Sequence, residues 1–130
     1  MIKMTKRISN QNELRRTASR VTKDIIRRLP VELRSKLSNA AVVLQARPDK
    51  HHVKDGIEND CLGLFTGPSV RDGDDSASLP PQIFLFLENI FEEARDSGRS
   101  FSEELRRTFL HELGHYLGLE EDELKLRDVD

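Results

Sequence analysis

The run Ile83-Phe84-Leu85-Phe86-Leu87 constrains the fold of this chain more than any other segment. A strand points alternate side chains to opposite faces, so one that is apolar at every position needs both faces covered. Residues 82–87 are therefore expected to form an interior strand. The run is far shorter than the roughly 20 apolar residues of a membrane-spanning helix, so it marks a core and not a span.

The neighbouring segments supply the layers this strand requires. Leu14, Ala18, Val21, Ile25 and Leu29 recur at helical spacing over residues 12–29. Pro30 follows, and residues 31–37 can form a short second helix. Ala40-Ala41-Val42-Val43-Leu44 is apolar and β-branched, and residues 61–65 form another short apolar run closed by Gly67-Pro68; both read as strands. Residues 47–60 are polar and read as loop, as does 69–81 with Asp72-Gly73-Asp74-Asp75 and Pro80-Pro81. Residues 88–97 read as a helix broken by Gly98. A last helix starts near Ser100, at capping-box spacing from Glu103, and ends at Gly118. The order α-α-β-β-β-α-α predicts an α+β fold, with a mixed sheet of about three strands packed with helices.

A length of 130 residues suits one domain, read here as residues 12–130 behind a flexible leader over 1–11. The single cysteine, Cys61, has no internal disulfide partner, and no apolar segment follows the basic start. A cytoplasmic protein with no membrane contact is expected. The formal net charge of −2 hides an asymmetry: residues 1–30 carry nine Lys/Arg against two acids, and residues 88–130 thirteen acids against six bases. The basic segment has no aromatics for base stacking, so it reads as a solvated helix face rather than a nucleic-acid surface.

Chemistry concentrates in His111-Glu112-Leu113-Gly114-His115. Two histidines four apart on a helix share one face, so both imidazoles can reach one ion. On the last helix Phe101, Leu105, Phe109, Leu113, Tyr116 and Leu117 fall in one apolar arc, and the histidines lie opposite it, beside Glu104 and Thr108. The helix can therefore pack on the sheet and present both histidines to an open cleft, with Glu112 at its lip. A catalytic Zn2+ site takes three protein ligands and leaves one position for water. A left-handed Gly118 would turn the chain so that Glu120, Glu121 or Asp122 could supply the third. Glu112 has the position of a general base, and Tyr116 or His52 could donate to a developing oxyanion.

The pattern His111-Glu112-x-x-His115-x-x-Gly118-x-x-Glu121 resembles the extended zinc motif of metzincins, with a carboxylate in the third-ligand slot. More closely, the chain resembles the minimal zincin family of small, mostly bacterial zinc metallopeptidases. Leu29-Pro30, Ala41-Val42-Val43, Leu62-Gly63-Leu64-Phe65-Thr66-Gly67 and Pro81-Gln82-Ile83 occur in that family's order, and the match covers roughly residues 13–124. The resemblance implies a zincin-like domain with zinc held by His111, His115 and Glu121, Glu112 as general base and acid, and a peptide or protein substrate. One departure is plain: the nine residues after Glu121 contain no methionine, so the methionine turn of true metzincins is missing. A zinc-binding interaction domain with little hydrolytic activity is the alternative function.

Overall fold

The computed structural model describes residues 2–67 and 80–118, with side chains from residue 11 onward within those limits. Helix α1 spans Ile2–Arg28, α2 Val31–Lys36, strand β1 Ala41–Gln45, helix α3 Lys50–Lys54, strand β2 Gly63–Thr66, strand β3 Gln82–Phe86, helix α4 Leu87–Ser97 and helix α5 Phe101–Leu117. The fold is α+β, as expected from the order of segments.

The sheet order is β1-β3-β2, with β3 in the middle, parallel to β1 and antiparallel to β2. Ile83 to Phe86 of the all-apolar run thus lie in the interior strand, with both faces covered, while Leu87, expected at its end, opens α4. Ile83 and Leu85 are fully buried and join one core with Ile25, Ile90, Leu105, Phe109 and Leu113. Phe84 and Phe86 point to the other face, where the His52 ring of α3 sits edge-on at 4.6 and 5.5 Å between centroids. Each fully buried Leu, Ile or Phe stabilises the fold by roughly 1.5–3 kcal/mol, so the helix side of the sheet dominates its energetics.

Helix α1 packs through Leu14, Ala18 and Ile25, and Leu29 just past its end joins them, the positions its periodicity picks out, with Val21 half-buried at the margin. It is helical from Ile2 rather than from residue 12, so the expected leader is helical backbone. Its last turn is satisfied from outside, because the Arg34 guanidinium donates to the Arg27 carbonyl at 3.0 Å.

The loop expected over 47–60 contains α3. Asp49 caps it by accepting from the His52 N–H, while His52 Nδ1 accepts from the Asp49 N–H at 3.1 Å. A second polar cluster ties three segments together. Arg47, just past β1, donates to Glu88 at 3.0 Å, to Asn89 at 2.7 Å and to Glu92 at 2.9 Å on α4. The Asn89 amide in turn donates to the Asn59 and Cys61 carbonyls, both at 2.9 Å. This fixes the approach to β2, which matters because β2 borders the histidine helix.

Candidate metal centre

Helix α5 begins where its sequence says it should. The Ser100 hydroxyl accepts from the Glu103 N–H at 3.1 Å, and the Glu103 carboxylate accepts from the Ser100 N–H at 2.9 Å. Those bonds hold the Glu103 carboxyl below the usual carboxylate range. The helix ends at Gly118, left-handed at φ 70° and ψ 28°, whose N–H returns to the Gly114 and His115 carbonyls. Between these stops Leu105, Phe109, Leu113, Tyr116 and Leu117 are buried against the sheet and α1.

His111 and His115 are exposed, and their Nε2 atoms converge to 3.1 Å with the rings nearly perpendicular. Two nitrogens on one tetrahedral zinc, each bonded at about 2.0–2.1 Å, stand roughly 3.3 Å apart. The pair therefore fits one ion, with both ligating atoms already on the same side. Among the described residues no group of three metal-ligating side chains comes together. Glu121, with Glu120 and Asp122, lies outside the described residues.

The cleft is narrower than the helical wheel implies. Glu104 and Thr108 share the histidine side of the helix but are buried, at 5% and 7% exposure. Arg99 covers Glu104 through a 3.1 Å ion pair. Strand β2 covers Thr108, since a Cβ at Gly63 would stand 2.8 Å from its Cγ2. The histidine side is thus open only over the final turns.

Glu112 is half-buried where α5 meets β2, with the Phe65 N–H placed so as to favour its carboxylate form. Burial pushes its carboxyl above the ordinary glutamate value, against the opposing pull of His111, His115 and that N–H. The position suits a base, because the group is partly desolvated.

Two sequence expectations fail here. The Tyr116 hydroxyl donates to the Lys36 carbonyl at 2.8 Å, so it braces α5 against the end of α2 and is not aimed at a reacting oxygen. His52 sits edge-on against Phe84 and Phe86, on the sheet face away from α5, so it too is removed from an oxyanion. Cys61 is half-buried. Its thiol donates to the Gly63 carbonyl at 3.0 Å.

Strand β2 is an edge. The Phe86 N–H donates to the Leu62 carbonyl at 2.9 Å, so in the antiparallel ladder residues 62, 64 and 66 face β3 with their polar groups. Gly63 and Phe65 then turn theirs outward. A groove of about 530 Å³ between α1 and α5, lined by Arg20, Lys23, Asp24, Arg27, Ser102 and Arg106, belongs to a different surface: Ser102 and His111 are about 180° apart around the helix.

A family model described as zincin-like metallopeptidase matches residues 37–129, more than two-thirds of the chain. No curated protein matches it.

Proposed function

The chain belongs to the zincin-like metallopeptidase family, and on that premise we propose that it hydrolyses peptide bonds with Zn2+ held by His111, His115 and Glu121. The observation that supports this most is the 3.1 Å convergence of the two exposed Nε2 atoms beside a half-buried Glu112. The reading takes residues 12–130 as one domain, with Glu120 and Asp122 as the other candidates for the third ligand. When bound, zinc supplies a Lewis acid for the scissile carbonyl and lowers the pKa of a water to about 7. Glu112 takes the proton of the attacking water and passes it to the leaving amine. Its raised carboxyl favours the first step, since a carboxylate with a higher pKa is a stronger base. The outward-facing Gly63 N–H and Phe65 carbonyl offer an extended peptide a strand to pair with. Among the described residues no helix is long and apolar enough to cross a membrane.

The test is metal content followed by Glu112→Gln. About one zinc per chain, lost in His115→Ala, together with cleavage abolished in Glu112→Gln at unchanged zinc, supports the reading. Cleavage by Glu112→Gln at the wild-type rate removes Glu112 from its role. The alternative, a zinc-binding interaction domain with little hydrolysis, draws on the engagement of Glu112 by the Phe65 N–H. It predicts stoichiometric zinc with no cleavage across a broad peptide library.

A further inference from the structure

We infer that Gly63 is a positioning residue for Glu112: by lacking a Cβ it lets β2 lie so close to α5 that the Phe65 N–H holds the Glu112 carboxylate beside the histidines. The inference rests on Glu112 acting as the base. A Cβ at position 63 would meet Thr108 Cγ2 at 2.8 Å, Glu112 Cγ at 3.2 Å and the Phe84 carbonyl oxygen at 3.2 Å. None of the three can yield without consequence. Thr108 is buried and its hydroxyl is bonded to the Glu104 carbonyl at 2.9 Å. The Phe84 carbonyl belongs to the central strand, paired on both sides. The remaining way to make room is to separate β2 from α5, and that withdraws the Phe65 N–H from the carboxylate.

Gly63 does not owe its place to an unusual backbone, because it lies in the regular antiparallel register opposite Leu85. Space alone requires it, so alanine is a clean probe. The Phe65 ring packs on Tyr116 of α5 at 5.7 Å between centroids, so the strand is seated on the helix on both sides of the carboxylate. Three contacts thus converge: a missing side chain at 63, a backbone donor at 65 and a ring at 65.

The experiment uses the full chain as Gly63→Ala, Thr108→Ser and the double variant. Thr108→Ser removes only Cγ2 and keeps the hydroxyl bond to Glu104, which relieves the closest clash but leaves those with Glu112 and the Phe84 carbonyl. Three quantities are measured: thermal midpoint, hydrogen exchange of the Phe65 amide, and kcat and KM on a peptide the wild type cleaves. The double variant is expected to match Thr108→Ser in thermal midpoint. Its Phe65 amide exchanges about 10-fold faster, the loss of one charge-assisted hydrogen bond. Its kcat falls about 10- to 100-fold at unchanged KM, as for a displaced base.

A double variant with wild-type exchange and kcat overturns the inference, since Gly63 would then serve only packing against Thr108. If the double variant does not fold, Glu112→Ala decides: faster exchange at Phe65 supports the contact, and unchanged exchange overturns it. If no variant, wild type included, cleaves any peptide, the proposed function falls, and amide exchange still judges the positioning.

Discussion

Asn89→Ala removes one buried amide on which three segments converge. The side chain is 3% exposed. Its amide nitrogen donates to the Asn59 and Cys61 carbonyls and its oxygen accepts from Arg47. An acceptor left unsatisfied in the interior costs about 1–3 kcal/mol. Asn59 is exposed and water can replace its lost donor, whereas Cys61 is half-buried. Arg47 keeps Glu88 and Glu92, and this partly exposed pairing is screened by solvent. The sum is about 2 kcal/mol, most of it at the Cys61 carbonyl. For a chain of this length that corresponds to a fall in Tm of about 7 °C. Urea and thermal unfolding measure it directly. Asn89→Asp is the decisive companion, because it keeps an acceptor for Arg47 and sets a carboxylate against two carbonyls. It should be at least as destabilised as Asn89→Ala. An aspartate variant as stable as wild type would refute the reasoning, since the amide donors would then hold nothing.

Ser100→Ala removes the cap of α5 and should cost about 1 kcal/mol in urea unfolding; a change below about 0.3 kcal/mol would mean that packing alone sets the start of the helix. Zinc at about 100-fold over its Kd should stabilise the chain by about 2.7 kcal/mol in thermal unfolding. His115→Ala should show no zinc-dependent shift, and a shift that survives it would place the metal elsewhere. Burial raises the Cys61 thiol above its ordinary range, with the Gly63 hydrogen bond opposing and nearby Glu112, Asp60 and Glu58 adding to the rise. Thiolate is therefore scarce near neutrality, and alkylation should be slow at about pH 8 and still rising above about pH 9. A rate that levels off near pH 8 would contradict that sign.

What the sequence revealed follows the range of the forces involved. The run from Ile83 announced an interior strand because a strand has two faces and its side chains are all apolar, though its last residue, Leu87, went to α4. Ser100, Glu103 and Gly118 announced both ends of α5 because caps are local, made within a few residues of each other. The order β1-β3-β2 could not be read, since the choice of strand partners depends on contacts between distant segments. Helix α3 was missed because Lys50-His51-His52-Val53-Lys54 has no apolar stripe, though Asp49 carried its cap. Polar positions on α5 were misjudged for the same reason: Glu104 and Thr108 look exposed on a wheel but are covered by Arg99 and β2. The contact of Glu112 with Phe65 was also out of reach. Its one local sign was a glycine inside an apolar strand, which marks a close backbone approach.

The outer edge of β2 also bears on how copies of the chain behave toward each other. An unpaired strand edge is a template on which another chain can add, and sheet proteins block such edges with charge or by covering them. Here the thiol of Cys61 covers the Gly63 carbonyl and the carboxylate of Glu112 covers the Phe65 N–H. Glu112 thus sets a charge beside that edge. An edge that can pair with a peptide backbone can pair with a neighbour's, and a carboxylate beside it discourages that growth.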